Sequence, residues 1–317
     1  MLDNVTKDMA NEFLLSLNLI DEKLSDKEKI RKLYTLSNNI EKNYKKTVIL
    51  KKDGNKRIIY EPNYTLKKVQ RNILDNVLSG FKVSKYAMAY VKGKSVKDNA
   101  NMHVNKKLIL KLDIKDFFNN ISFMDVYNKV FLEEYFPKQA RTVLTYLCTY
   151  NEFLPQGAPT SSYISNLIMQ DFDEKIGLFC EKNNISYTRY SDDMTFSGDF
   201  NVKMVIFKVK DELKKMGMQL NYDKIHVIYS NMSQQVTGIT VNEKPQVLKV
   251  KRRKIRQEVY YIKKYGLYSH LKRINVKDEF SYLRSLLGKI NFVLMVNSED
   301  LEFFKYREFI LKIFNNL

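Results

Sequence analysis

Cysteine and histidine are scarce in this sequence. Its 317 residues include only two cysteines, Cys148 and Cys180, which lie far apart and in apolar contexts. This placement indicates neither a disulfide framework nor a thiolate metal site, and it fits a reducing cytoplasm. The three histidines, His103, His226 and His270, are too widely spaced for a local zinc motif, although distant ligands can converge in a fold.

Long apolar runs are absent as well. No stretch approaches the ~18 consecutive apolar residues that a membrane-spanning helix needs. The N-terminal region carries acids at Asp3, Asp8 and Glu12 and lacks the layout of a signal peptide. We therefore expect a cytoplasmic protein with no membrane partner.

Acidic residues are outnumbered by basic ones. The chain has 54 lysines and arginines against 36 aspartates and glutamates, a formal net charge of +18. Such a balance favours a polyanionic partner, either nucleic acid or an anionic membrane surface. Nucleic acid is the better prediction because the membrane signatures are missing. An apolar content of 44% is sufficient for a folded core.

Hydrophobic periodicity divides the chain into three predicted segments. Residues 1–45 follow helical spacing and predict an N-terminal helical segment. Residues 46–245 mix strand and helix patterns, whereas residues 246–317 are helical and basic. The main domain boundary is expected near Pro245.

The middle segment contains several distinct local patterns. An Asp-Gly pair at residues 53–54, between two β-prone runs, predicts a β-hairpin. Residues 108–114 alternate as a strand, and residues 186–197 predict two strands around a turn with two adjacent acids. One helix is expected over residues 162–180, and strand-like stretches over 219–229 and 235–241.

Three carboxylates occupy positions that a fold can bring together. Adding a nucleotide to a growing strand needs two divalent cations about 3.5–4 Å apart, bridged by carboxylates. Magnesium prefers hard oxygen ligands of this kind. Asp113 at a strand end, with Asp192 and Asp193 at a turn, would supply them if strand and hairpin are neighbours in an antiparallel sheet. Alternatively, the adjacent acids form an ordinary surface turn.

Several motifs, in order along the chain, resemble those of reverse transcriptases, and among these the bacterial retron type. They are LKLDIKDFF (110–118), LPQGAPTSS (154–162), YSDD (190–193), GMQLNYDK (217–224) and VTGI (236–239). Retron enzymes are also similar at an NAxxH pattern, residues 99–103, and at the VTG triplet. Ser191 stands where the family usually carries alanine, and serine is small enough that we expect activity to survive.

The resemblance implies a fold and a reaction. The fold is α+β, a right-hand polymerase with fingers, a ferredoxin-like antiparallel palm and a helical thumb. The reaction is RNA-directed DNA synthesis from deoxynucleoside triphosphates (dNTPs) with two Mg²⁺ ions. Retron-type enzymes copy a cognate structured noncoding RNA into branched multicopy single-stranded DNA (msDNA), primed from the 2′-hydroxyl of an internal guanosine. A separate effector protein, a toxin or a nuclease, and a role in antiphage defence are expected with it.

The resemblance also assigns roles near the reaction centre. Asp113, Asp192 and Asp193 match the metal-binding catalytic acids, and Lys224 matches a general acid for pyrophosphate. Phe118 matches a steric gate that excludes the 2′-hydroxyl of ribonucleotides, unless it is simply a core phenylalanine.

Nucleotide binding is expected at a loop and a hairpin. Gln156 and Gly157 match the loop against which the incoming nucleotide packs, and the helix N-terminus that follows favours phosphate oxygens. Lys51, Lys52 and Arg57 on the basic hairpin are candidates for binding the triphosphate. The alternative for these three is a solvated hairpin face.

RNA binding is expected on the thumb and at the two retron motifs. A helix with basic residues on one face can track a nucleic-acid backbone, unless it is only a solvated face over an aromatic core. Asn99 and His103 are expected to organise either RNA contacts or the local fold. The predicted RNA-binding set is Asn99, His103, Val236, Thr237, Gly238, Lys251, Arg252, Arg253 and Arg256.

Two other functions remain open from the sequence. One is a different defence-associated polymerase of the same superfamily, either protein-primed or untemplated. The other is a noncatalytic RNA-binding scaffold or antitoxin subunit, in which the basic surface is retained without the chemistry.

Overall fold

Helices and strands follow the hydrophobic periodicity of the sequence. A computed structural model describes residues 6–20, 23–50, 54 and 56–317. The helices are α1 Lys7–Ser16, α2 Asp26–Asn38, α3 Tyr64–Asn76, α4 Val96–Asn101, α5 Phe123–Lys129, α6 Lys138–Cys148, α7 Ser161–Ile168, α8 Gln170–Lys182, α9 Val202–Lys215, α10 Lys249–Tyr265, α11 Leu267–Arg273, α12 Glu279–Val296 and α13 Leu301–Asn315. The strands are β1 Tyr44–Leu50, β2 Lys56–Pro62, β3 Leu108–Asp113, β4 Ser186–Tyr190, β5 Asp193–Gly198, β6 His226–Tyr229, β7 Gln235–Val236, β8 Ile239–Thr240 and β9 Gln246–Val247.

A four-stranded antiparallel sheet forms the palm. Its strand order is β4-β5-β3-β6, and helices connect β3 to β4 and β5 to β6. This βαββαβ order is that of ferredoxin-like folds. Strand β3 lies inside the sheet and is buried along most of its length. The predicted ferredoxin-like palm is therefore confirmed.

Two hydrophobic clusters make up the core. The first joins the N-terminal helices α1 and α2 to α3, to the helices beside the palm and to one palm face, so the N-terminal segment packs into the same core as the palm. The second joins the three-stranded sheet β7-β8-β9 to α10, α12 and α13. Ile109 of β3 belongs to this second cluster, so the two clusters meet at the palm sheet. Strand β9 pairs with β8, so one small sheet spans the boundary predicted near Pro245.

Strands β1 and β2 form the predicted hairpin. Its strands pair antiparallel from Tyr44 opposite Pro62 to Leu50 opposite Lys56. Lys51 and Lys52, predicted to bind the triphosphate, lie outside the described residues.

The prediction of a single helix over residues 162–180 was wrong. The chain forms α7 and α8, which are separated at Met169, a residue with φ −82° and ψ 0°. Helix α7 begins at Ser161, and Thr160 before it makes no side-chain capping bond. The apolar pattern could not show the break because both helices pack into the same cluster.

The strand-like stretches after α9 were also wrong in detail. Residues 235–241 form a hairpin, not one strand, because Thr237 and Gly238 both adopt positive φ, +47° and +79°. Positive φ at both central residues matches the twist of two-residue hairpin turns. In residues 219–229, only His226–Tyr229 forms a strand, and Tyr222–Lys224 forms a short 3₁₀ turn before it.

Across the described ranges, the helices are too short or too polar to cross a bilayer.

Candidate active site

The three predicted acids meet at one end of the palm sheet. Asp113, the last residue of β3, lies directly opposite Asp193, the first residue of β5. Asp192 precedes Asp193 in the turn, and its carbonyl oxygen accepts a hydrogen bond from the backbone N–H of Ile114 at 3.1 Å. The antiparallel register thus places carboxylates from two sequence regions beside one another.

The turn beside two of these acids has an uncommon backbone conformation at Ser191. Tyr190 pairs with Asp193, which leaves Ser191 and Asp192 as a two-residue hairpin turn. Ser191 is buried and has φ +62°. Positive φ at the first central residue favours glycine, and non-glycine residues adopt it uncommonly. The site therefore tolerates serine or another small residue, whereas a β-branched side chain would be strained.

A buried ion pair supports the turn from one face of the sheet. The Arg189 guanidinium donates to both carboxylate oxygens of Asp173 in α8, at 2.8 Å and 2.6 Å. It also donates to the carbonyl oxygen of Ser191 at 3.0 Å, and the Tyr187 hydroxyl donates to Asp173 at 2.8 Å. Both Arg189 and Asp173 are completely buried. Bidentate arginine–carboxylate pairs fix orientation, so α8 holds the turn in place.

Sequence reasoning missed this pair. Arg189 stands in the same alternating register as Tyr187, which faces the first cluster. That alternation was the one available indication that Arg189 points into the core. Nothing in the local pattern of α8 identified Asp173 as its partner.

The acidic cluster is electrostatically unbalanced. Partial burial raises the pKa of Asp192, and the charge of Asp113 raises it further. Burial, together with the charges of Asp192 and Asp113, raises the pKa of Asp193 to about 6. Lys111, two residues before Asp113, opposes this shift only in part. The site therefore carries negative charge that a cation would stabilise.

Asp113 already has a cationic partner. The Lys224 ammonium donates to one oxygen of Asp113 at 2.7 Å, and the Asn221 side-chain amide donates to the other at 3.2 Å. Burial lowers the pKa of Lys224, but the hydrogen bond to Asp113 and the nearby charges outweigh it, so the net shift is upward. Lys224 thus lies at the acid cluster, as an ion-pair partner of the carboxylate.

The carboxylates of Asp113, Asp192 and Asp193 are suitable ligands for a hard cation, although they do not form a complete coordination site. Within the described ranges, no three histidine, cysteine or acidic side chains are already grouped tightly enough to hold a metal ion. Carboxylate oxygens are nevertheless the ligands that magnesium prefers. Lys224 and Asn221 each donate one hydrogen bond to an Asp113 oxygen, and the carboxylate has further lone pairs for a cation.

The predicted nucleotide loop is locked against the hairpin. The carbonyl oxygen of Gln156 accepts a hydrogen bond from the backbone N–H of Tyr60 in β2 at 2.8 Å. Gly157 has φ +123°, and a Cβ atom there would lie 2.7 Å from the carbonyl oxygen of Tyr60. Only glycine fits this close approach, so the loop and β2 form one wall.

Two further nucleotide-site residues lie near these elements. Phe118 is half-buried in the 3₁₀ turn that follows β3, and its ring lies 5.3 Å from the ring of the buried Phe117. One part of Phe118 packs on the core and another part is open to solvent. Arg57 is exposed on β2.

The predicted RNA-binding residues fall into two groups. Asn99, His103 and Val236 are completely buried, so their side chains are out of reach of RNA in this conformation. Thr237 and Gly238 form the partly exposed turn between β7 and β8. Their role in RNA binding stays a prediction.

The basic residues of α10 also differ among themselves. Arg252 pairs with Asp300 at 2.7 Å, and Arg256 binds Glu302 through two bonds of 2.6 Å and 2.7 Å. Lys251 and Arg253 are exposed. Two of the four predicted contacts are thus already engaged in ion pairs with residues at the start of α13.

The charged carboxylate of Asp193 is expected to destabilise the metal-free protein. Because its pKa is raised when the protein is folded, the folded state binds the proton more tightly, and stability falls as pH rises through about 6. We expect Asp193→Asn to raise the melting temperature in EDTA at pH 7.5 and to change it less at pH 4.5. Asp116→Asn, at a nearby exposed acid, is the control and should behave alike at both values. A lower melting temperature for Asp193→Asn at pH 7.5 would contradict the assignment.

The buried Arg189–Asp173 pair beneath the turn is expected to contribute more to stability than an exposed ion pair does. Arg189→Met leaves Asp173 charged and without its guanidinium, which should cost about 3–5 kcal/mol of unfolding free energy. Lys107→Ala breaks the exposed Lys107–Asp199 pair and should cost less than about 1 kcal/mol. Urea denaturation of both variants measures the difference. Equal losses would mean that the buried pair does not hold the hairpin.

Comparison with known proteins identifies the family to which this chain belongs. Residues 49–283 match the family model described as reverse transcriptase (RNA-dependent DNA polymerase). The retron Ec86 reverse transcriptase of Escherichia coli is 30% identical over 290 residues, which cover 89% of this chain and 86% of that protein. The retron Ec83 enzyme of the same organism is 31% identical over 261 residues, covering 77% and 81%. The retron Mx65 enzyme of Myxococcus xanthus is 29% identical over 281 residues, covering 82% and 63%. With its ferredoxin-like palm and helical C-terminal part, the chain belongs to the retron reverse transcriptases and is an RNA-directed DNA polymerase of the right-hand fold.

Proposed function

We propose that this enzyme copies its own structured noncoding RNA into branched msDNA, with priming from the 2′-hydroxyl of an internal guanosine. The observation that carries the chemistry is the pairing of Asp113 with Asp193 beside Asp192 at one end of the palm sheet. Its relatives are named as retron reverse transcriptases, which supports the RNA-copying role. On the same likeness we propose a partnership with a separate effector protein in antiphage defence. We also propose a cytoplasmic location, which the buried free cysteines Cys148 and Cys180 suit.

The proposed reaction centre uses the acids as metal ligands. Asp113, Asp192 and Asp193 would hold two Mg²⁺ ions, which, when bound, activate the attacking hydroxyl and stabilise the leaving pyrophosphate. The raised pKa values of Asp192 and Asp193 support this role because a cation would relieve their mutual repulsion. Lys224, which contacts Asp113, would be the residue that gives a proton to pyrophosphate.

The proposed nucleotide pocket lies between the hairpin and the turn after β3. Gln156 and Gly157 would form the wall behind the incoming dNTP, with Arg57 directed to its triphosphate. Phe118 would close the sugar side, because its partly exposed ring packs edge-to-face on the buried ring of Phe117. A ring at that place would collide with a 2′-hydroxyl.

The proposed RNA surface lies at the start of the helical thumb. A cleft of about 1050 Å³ opens between α10 and the β7–β8 hairpin, and Lys244, Lys249 and Arg253 line it as exposed cations. Cations in a concave surface neutralise phosphates and release their counterions. Arg252 and Arg256 also line the cleft, where their pairs with α13 would orient them.

Loss of one carboxylate from the proposed reaction centre is expected to abolish most of the activity. Asp192→Asn should reduce incorporation of labelled dNTPs at least about 100-fold, because the site loses a charged ligand. Binding of the cognate RNA, measured by filter retention, should stay within twofold of wild type. Asp116→Asn, an exposed acid a few residues after Asp113, is the matched control and should retain activity. Equal incorporation by wild type and Asp192→Asn would reject this active site.

Phe118 is expected to set the preference for deoxynucleotides over ribonucleotides. Phe118→Ala should raise the efficiency of ribonucleotide relative to deoxynucleotide incorporation by about 10-fold or more, because removing a clash at one group is worth about 1–3 kcal/mol. Phe118→Tyr keeps the ring and should preserve the preference. Competition assays with paired nucleotides measure the ratio. If Phe118→Ala loses stability and keeps the wild-type preference, the residue is a core phenylalanine.

A further inference from the structure

The segment of residues 86–105, which we name the strap, runs along the catalytic hairpin β4–β5. It starts at the outer edge of β4, where the backbone N–H of Arg189 donates to Tyr86 at 2.9 Å and that of Met88 donates to Arg189 at 2.8 Å. The strap then forms α4 and ends with Asn105, whose backbone N–H donates to the carbonyl oxygen of Val241 at 2.9 Å. One stretch of chain therefore contacts both the hairpin and the small sheet next to the thumb.

His103 fastens the strap to the face of the palm sheet. Its Nδ1 lies 2.7 Å from the Ser197 hydroxyl in β5, and its Nε2 lies 2.7 Å from the Thr188 hydroxyl in β4. Burial, with the nearby charges of Lys106 and Lys111, lowers the pKa of His103 to about 3. The imidazole is therefore neutral, with one nitrogen donating and the other accepting, and hydroxyl groups can satisfy both.

The two hydroxyls belong to different strands of the hairpin. Thr188 pairs with Thr195, and Ser197 pairs with Ser186, so Thr188 and Ser197 are diagonal neighbours on one face. The imidazole spans them and ties β4 to β5. Arg189 follows Thr188 and points to the opposite face, where it binds Asp173. The hairpin that ends in the YSDD turn is thus held from both faces, by His103 on one and by α8 on the other.

Helix α4 of the strap also contacts the turn between β7 and β8. The Asn99 amide lies 3.5 Å from the Thr237 hydroxyl, and that hydroxyl donates to the carbonyl oxygen of Val96 at 3.2 Å. Ala100 packs into the second hydrophobic cluster with β8 and the thumb helices. The NAxxH motif and the VTG turn therefore contact each other inside the protein.

We infer that His103 is a positioning residue that fixes the YSDD turn relative to the thumb-side sheet, and that the NAxxH motif acts through this internal contact instead of through RNA. The inference rests on the proposed catalytic role of Asp192 and Asp193. Because β4 is the edge strand of the palm, its place depends on contacts outside the sheet. Small displacements of reacting groups are costly, since a 1 Å shift can reduce a rate by about 100-fold.

The test is steady-state kinetics on an RNA template with an annealed DNA primer. For His103→Ala we expect kcat to fall about 10-fold, with the KM for dNTP and the affinity for RNA within twofold of wild type, because His103 touches neither. His103→Gln should recover most of kcat, since its amide can donate to one hydroxyl and accept from the other. Thr188→Val removes one of the two hydroxyl contacts with little change of shape and should also lower kcat, and the loss in the double variant with His103→Ala should equal that of His103→Ala alone.

Controls separate positioning from folding and from RNA contact. His270→Ala, at another buried histidine that binds Tyr282 in the thumb, should keep kcat while lowering the melting temperature. If His103→Ala weakens RNA binding 10-fold and keeps kcat, His103 is an RNA-recognition residue and the inference is overturned. Wild-type kcat in folded Thr188→Val overturns it as well, and this variant answers the question even if His103→Ala does not fold. Asp192→Asn, assayed beside them, separates the two ideas, because its activity tests the reaction centre alone.

Discussion

The antiparallel register between β3 and β5 is the constraint on which the site depends. It sets Asp113 opposite Asp193, and a shift by one residue would turn Asp113 to the other face of the sheet. The register is itself secured by burial, because Leu110 and Leu112 face the first cluster while Ile109 faces the second. The hydrophobic pattern of one short strand thus determines where the carboxylates stand.

Three supports hold the turn that completes the site, and they come from different parts of the chain. Arg189 and Asp173 support it from the helical face, His103 from the opposite face, and the backbone of Met88 from the edge. Each of these contacts is a buried hydrogen bond, so solvent weakens it little. The turn is therefore held in place although the carboxylates of Asp113, Asp192 and Asp193 repel one another.

Much of this arrangement was predictable from sequence because it depends on local periodicity. The alternation in residues 108–114 and the turn at Asp192 and Asp193 placed the acids at a strand end and at a turn, whereas the pairing of the two strands was a condition that only the structure could test. The contacts of Arg189 with Asp173 and of His103 with Ser197 were not predictable, since they join residues distant in sequence through tertiary packing. The same limit applies to α10: the run of basic residues was evident, but which of them face α13 depends on helix packing that no local pattern encodes.

The ion pair between Lys224 and Asp113 gives the enzyme an internal counter-ion. If the cluster binds a metal as proposed, the arriving cation would meet a carboxylate whose charge is already balanced by a tethered ammonium. A monovalent ion would offer Asp113 no more charge than Lys224 supplies, whereas a divalent ion would, so the tethered ammonium would favour divalent over monovalent cations.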